Sequence, residues 1–131
     1  MIKRLFIAQA IVDVLFGVPL IFFSPVLLSI YGLSTDRVGT YLGEFLGVAF
    51  LALAWISWSA RDLPDGEPRR FIVRAGLLAG VIGTLVNVNF ELQPDATPLG
   101  WINVAITLVL AIGWGYAAYQ SMDGVAARQP A

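Results

Sequence analysis

The chain contains no cysteine and no histidine. The first absence removes disulfides and thiolate metal sites; the second removes Cys/His and Ser/His/Asp catalysis and the commonest axial ligands of haem. Charge is scarce as well. Only 13% of the 131 residues are Asp, Glu, Lys or Arg, against about 25% in an average soluble protein. The formal net charge is -1, and the charges sit in short clusters between apolar runs, so there is no basic face for nucleic acid. What fills the chain instead is apolar. Hydrophobic residues make up 58% of it, which points to a bilayer and to one domain covering residues 1–131.

Four apolar runs are about long enough to cross a hydrocarbon core: residues 5–23, 38–60, 71–90 and 99–119. The first follows Lys3 and Arg4, as a secretory signal would. Asp13 interrupts it, however, and no small-residue cleavage site follows, so a retained helix is expected. Ser24 and Pro25 supply a cap and a first-turn proline for a short helix over residues 25–31, which Gly32 ends. Too short to span, this segment is expected to lie flat at the membrane surface with Tyr31 at headgroup depth.

Between the second and third runs, RDLPDGEPRR carries Pro64, Gly66 and Pro68, which are expected to break any helix. Pro94 and Pro98 separate the third run from the fourth, and the polar tail, residues 120–131, is expected to fray. The fold expected is an all-α membrane protein, four transmembrane helices in an up-down bundle with a short interfacial helix after the first span. Lys3, Arg4, Arg61, Arg69, Arg70, Arg74 and Arg128 fall on the side of the termini and the second loop; only Arg37 falls opposite. By the positive-inside rule both termini are cytoplasmic, in a bacterial inner membrane. Trp55, Trp58, Trp114, Tyr116 and Tyr119 are expected to ring that cytoplasmic side.

Each span carries a line of small or polar residues at helical spacing, the part most suited to meeting other helices. Gly39, Gly43 and Gly47 recur every fourth residue in the second span and form one flat stripe. Glu44 lies beside it. Facing lipid would cost that carboxyl about 2.5 kcal/mol or more, so it is expected to face the interior or a partner. The first span has Gln9, Asp13 and Gly17; the third has Gly76, Gly80, Thr84 and Asn87; the fourth has Asn103, Thr107, Ala111 and Gly115. Four such lines around one axis make a close-packed bundle.

Converging polar groups in a dry bundle are where a ligand site is sought. The candidates are Asp13, Glu44, Asn87, Asn103, Thr84 and Gln9. Without a cationic neighbour, burial favours the neutral forms of the two acids, held by asparagine or hydroxyl partners. The same groups can also simply bond across helices, each contributing about 0.6 kcal/mol with no ligand at all. No catalytic residue, metal set or cofactor is implied, while a bound lipid, quinone or pigment stays open.

The succession SPVLLSIYGL, then GEFLGVAFLALAWISW ending at Arg61, then a third span after PRR and a fourth after a proline loop, resembles small four-helix bacterial membrane proteins, including DoxX-like ones. The resemblance covers nearly the whole chain and implies a fold without a reaction. Asp13 within AQAIVDVLFGV is also similar in place to the acidic residue in the first helix of small multidrug-resistance transporters. That likeness implies exchange of a proton for a lipophilic cation, although the tryptophan those proteins carry in their third helix has no counterpart here.

Two functional readings follow. In the first, the protein is non-enzymatic and packs through Gly39, Gly43 and Gly47, with Gly76, Gly80 and Gly115 as further packing positions. Its partners are membrane lipids and either a second copy or the other transmembrane subunits of a larger complex in which it is an accessory or scaffold. In the second, it binds a small lipophilic molecule, or exports one in exchange for protons, through Asp13 and Glu44. Two carboxyls could in principle serve an enzyme as acid and base, but their spacing singles out no substrate.

Overall fold

The computed structural model describes residues 1–94 and 96–126. It contains four helices, α1 (Ile2–Ile30), α2 (Arg37–Ala60), α3 (Glu67–Glu91) and α4 (Trp101–Ala126), the last preceded by a single 3-10 turn, Pro98–Gly100. No strand occurs among the described residues. All four helices are long and apolar enough to cross a membrane. Leu15, Phe45, Trp55, Phe71, Val109 and many other large apolar side chains stand exposed on the outside. This is consistent with a multi-pass membrane protein, in which helices satisfy their backbone groups internally and apolar side chains are left to meet acyl chains.

Local chemistry explains the helix ends. Asp36 caps α2 by accepting a hydrogen bond from the Gly39 amide at 2.8 Å, which satisfies one of the donors a helix start leaves open. Pro68, expected to break the chain, instead lies in the first turn of α3, where its missing N–H removes no helical bond. The fourth helix runs on to Ala126, past Gln120, where fraying was expected to begin. Residues 127–131, with Arg128, lie outside the described residues.

The segment expected as a separate surface helix is the last part of α1. Pro25 has no N–H, and in a straight helix its ring would strike the carbonyl of Ile21. The chain breaks just before it, at Phe23, with φ -138 and ψ 30. The helix then resumes and ends in a Schellman turn: the Leu33 amide donates to the Leu28 carbonyl and the Gly32 amide to that of Ser29, each at 3.0 Å. Gly32 takes φ 75, the left-handed value such an ending requires. Leu27, Leu28 and Tyr31 turn inward, and the Tyr31 hydroxyl donates to Asn103 Oδ1 at 3.2 Å. A partly buried amide is thus the partner of that phenol.

Packing is pairwise. Helices α1 and α2 form one antiparallel hairpin, α3 and α4 a second, and the two meet chiefly through α1 and α4. The glycine lines work inside the hairpins, where they let backbones touch. A Cβ on Gly47 would lie 2.8 Å from the Gly17 carbonyl oxygen, and one on Gly17 would lie 3.1 Å from the Gly47 carbonyl. Gly43 sits against Ser24. In the second hairpin, a Cβ on Gly76 would come within 2.8 Å of the Trp114 indole, and one on Gly80 within 2.9 Å of the Ala111 backbone. Gly39 lies against Thr35 and Asp36 at its own helix cap, and Gly115 faces Leu77 at ordinary contact distance. The lines are divided: Gly17, Gly43, Gly47, Gly76 and Gly80 are covered by the neighbouring helix in their own hairpin, whereas Gln9, Asp13, Asn87, Asn103 and Thr107 meet between the hairpins.

The hairpins share a buried core at one end. Phe6, Ala60, Val73, Trp114 and Ala117, drawn from all four helices, form a buried cluster there. Phe6 meets Trp114 edge to face, with ring centroids 5.0 Å apart and planes at 75°, a favourable geometry for aromatic pairs. Trp114 is thus core, not part of an interfacial ring. This end also carries the N-terminus and the turn between α2 and α3, where Lys3 pairs with Asp62. The hydrogen bond from Lys3 holds the Asp62 carboxyl below its ordinary range. At the far end, Thr97 donates to the Tyr31 carbonyl at 3.3 Å. Between the two ends the hairpins stand apart.

Candidate functional site

The gap between the hairpins is a cavity of about 320 Å³, at the small end of the roughly 300–1,000 Å³ typical of ligand pockets. Its walls are apolar and come from every helix, among them Phe16 and Leu20 of α1, Phe50 of α2, Phe90 of α3 and Leu110 of α4. No lysine or arginine lines it.

Asp13, from the middle of α1, is 1% exposed. Its Oδ1 accepts from Gln9 Nε2 at 2.9 Å, and Gln9 Oε1 accepts from the Trp114 indole N–H at 3.1 Å. Spacing of four residues puts Gln9 and Asp13 on one face of α1. The direction of this relay has a chemical cause. An indole nitrogen can only donate, so Gln9 must present its carbonyl to Trp114 and its amide N–H to Asp13. Asp13 Oδ2 is left buried with no partner.

Glu91, the last residue of α3, reaches the same cavity from the other end. It is 9% exposed. Its carboxyl tucks against Gly100, where a Cβ would overlap it, and its Oε2 is also buried without a partner. Two asparagines complete the polar lining. Asn103 uses Oδ1 to accept from Tyr31, which turns its Nδ2 donor away from that bond. Asn87 does the reverse: its Nδ2 donates to the Gly83 carbonyl at 2.9 Å, leaving Oδ1 as an acceptor. Thr107 is occupied by its own helix, donating to the carbonyls of Asn103 and Val104.

Of the residues nominated from the sequence, Gln9, Asp13, Asn87 and Asn103 are thus brought together. Thr84 is not among the lining residues; it donates to the Gly80 carbonyl at 2.7 Å. Glu44 does not line the cavity or face the interior of the bundle. It is exposed on the outside of α2, because Gly43 and Gly47 turn toward α1 and residue 44 stands about 100° round the helix axis from residue 43. Glu91, Tyr31 and Trp114 were missed. Glu91 read as the first residue of a loop, and a carboxylate at a span's end is ordinarily solvated. Its one sequence signal was Gly100, a residue small enough to admit it.

Comparison with protein-family models, with curated proteins and with solved structures finds no match for this chain. The site therefore speaks for itself. Its carboxyl, amide and phenol groups can orient a small, mostly apolar molecule, and hydrogen bonding is the chemistry they supply.

Proposed function

We propose that this protein is a non-enzymatic, multi-pass protein of a bacterial inner membrane, with both termini cytoplasmic, that binds a small lipophilic molecule between its two hairpins. The carrying observation is one apolar cavity between the hairpins whose lining includes two buried acids, Asp13 and Glu91, with the polar side chains of Gln9, Tyr31, Asn87 and Asn103. Converging polar groups in an otherwise apolar cavity are what fix the orientation of a small ligand. Lys3, Arg4, Arg61, Arg69, Arg70 and Arg74 at the end with the N-terminus, against Arg37 at the other, support the orientation. The test is mass spectrometry of small molecules extracted from the protein purified in nanodiscs. Ile106→Trp, which fills the cavity, is expected to remove a molecule that accompanies the unaltered chain while leaving the melting temperature close to its original value. Equal recovery from both proteins would overturn the reading.

A second reading keeps the accessory or self-associating role, and Glu44 favours it. This carboxyl is exposed on a face of α2 that also presents Tyr41, Phe45 and Val48. Lipid is a costly environment for it, and a transmembrane helix of another subunit or a second copy would relieve that cost. The contact face in this reading centres on Glu44, since Gly43 and Gly47 are already covered by α1. Glu44→Leu is expected to abolish any larger species seen on native gels from mild detergent. Persistence of that species would remove Glu44 from the contact.

A further inference from the structure

We infer that a groove on the outside of the first hairpin holds an acyl chain of an anionic phospholipid, with the headgroup phosphate on Arg4 and Arg61. This site is separate from the cavity between the hairpins and does not depend on it. The groove runs between α1 and α2 and encloses about 380 Å³. Ala10 and Ala54, both buried, make its floor. Ile11 and Leu15 on one side, with Trp55 and Trp58 on the other, stand exposed as its walls. The shape suits a hydrocarbon chain and not a helix. On α2 the lining extends from Leu51 to Trp58, a rise of about 10 Å. Spread over that length, about 380 Å³ leaves a channel roughly 7 Å wide, narrower than the roughly 10–12 Å of a helix with its side chains. The length also falls short of half a hydrocarbon core of about 30 Å, so the groove lies within one leaflet, the one at the N-terminal end of the bundle.

The mouth of the groove selects the lipid. Trp58 lies in the last turn of α2, which ends at Ala60, and the Arg61 guanidinium stacks over its ring, 3.8 Å from the centroid. Arg61 donates from Nη1 to the Trp58 carbonyl and pairs through Nε with Asp62, which leaves Nη2 for a further acceptor. Arg4 is exposed and shares a face of α1 with Ile11 and Leu15 by helical spacing. The ion pair of Lys3 with Asp62 joins the two helix ends at this mouth. Residues 1–4 and 61–74 hold six basic and three acidic side chains, and two of those acids, Asp62 and Asp65, are engaged by Lys3, Arg61 and Arg70. The surplus is positive. Basic clusters at the ends of spans attract anionic headgroups, and a planar guanidinium matches the oxygens of a phosphate. An apolar channel that opens at two arginines is thus complementary to an apolar chain with an anionic head.

Quenching of tryptophan fluorescence by brominated acyl chains tests the site. The full chain, carrying Trp101→Phe, is reconstituted in phosphatidylcholine vesicles with a small fraction of dibrominated phosphatidylglycerol or dibrominated phosphatidylcholine. Trp101 is the exposed tryptophan at the far end and Trp114 is buried, so Trp55 and Trp58 report on the groove. At equal fraction the anionic lipid is expected to associate about twentyfold more strongly, with Arg4→Gln and Arg61→Gln each removing about fivefold, the worth of one basic residue near a charged surface. Arg37→Gln, at the opposite end, should change nothing. Val14→Phe, which narrows the groove from an exposed position, should weaken quenching by the anionic lipid with both arginines in place. Equal quenching by the two lipids overturns the inference, as does a preference that survives loss of both arginines. Unchanged quenching in Val14→Phe overturns the placement in the groove. If neither lipid quenches the parent, protein covers this face, and a contact along α2 replaces the lipid.

Discussion

Gly47→Leu is expected to prevent the first hairpin from closing. The glycine meets the Gly17 carbonyl oxygen at 2.8 Å and the Ile21 backbone nitrogen at 3.0 Å from an added Cβ. Both neighbours are main chain, so no side chain can rotate out of the way. Overpacking of this kind costs about 1–3 kcal/mol in ordinary cores, and here the upper end applies because the whole α1–α2 contact must open. Lipid offers no hydrophobic drive to hold separated helices together, so close packing carries the association. The measurement is thermal unfolding in mild detergent, together with protease access to the connection at residues 31–36. A large fall in melting temperature with rapid cleavage is expected. Gly83→Ala is the control, since a Cβ there meets only a Thr107 methyl at 3.9 Å, and should leave both readouts unchanged. If Gly47→Leu melts and resists protease like the parent, the stripe does not pack against α1.

Trp114→Ala is expected to cost about 3–5 kcal/mol, the range for deleting a large buried aromatic. Trp114 is the largest fully buried side chain, 1% exposed. It meets Phe6 edge on, covers Gly76 and donates to Gln9. Removing it empties the one cluster where all four helices meet and leaves Gln9 Oε1 without its donor. Transfer of apolar surface out of water contributes little inside a bilayer, so the loss comes from contacts and from the void. Trp114→Phe separates these causes. It should restore much of the packing and most of the melting temperature while still lacking the N–H that orients Gln9. Unfolding of both variants by the same amount would mean that the hydrogen bond outweighs the packing; a parental melting temperature for Trp114→Ala would show that the cluster does not hold the hairpins together.

How much of this was legible beforehand varies residue by residue. Gly32 as a helix stop followed from its place after the run ending in Tyr31, because a left-handed backbone at a helix end has a strong local signature. Asp13 and Gln9 were placed on a common face by spacing, and their hydrogen bond follows from it. Trp114 was misplaced, since a tryptophan toward the end of a span is equally suited to an interfacial belt and to a core. Only Gly76, on a different helix, decides between them by leaving room for the indole. Glu44 and Glu91 exchanged roles for a similar reason. The acid inside a span turned out exposed, and the acid at a span's end turned out buried, because each position depends on which way a neighbouring glycine faces.

The sequence by itself determined the class of this protein: a chain of four helices long and apolar enough to cross a membrane, with no thiol or imidazole chemistry, its glycine lines marking close helix contacts. Those properties depend on composition, length and spacing along one strand of chain, all of which are local. Which helix each glycine line meets, and therefore where the gap between hairpins falls, was decided only by the tertiary structure. The physical reason lies in the solvent. In water, an apolar face must turn inward and hydropathy reveals it; in a bilayer both the outer and the inner faces of a helix are apolar. Periodicity then shows that a helix has two sides without showing which one faces the protein. That choice falls to contacts between residues far apart in the chain, Gly47 with Gly17, Gly76 with Trp114 and Tyr31 with Asn103.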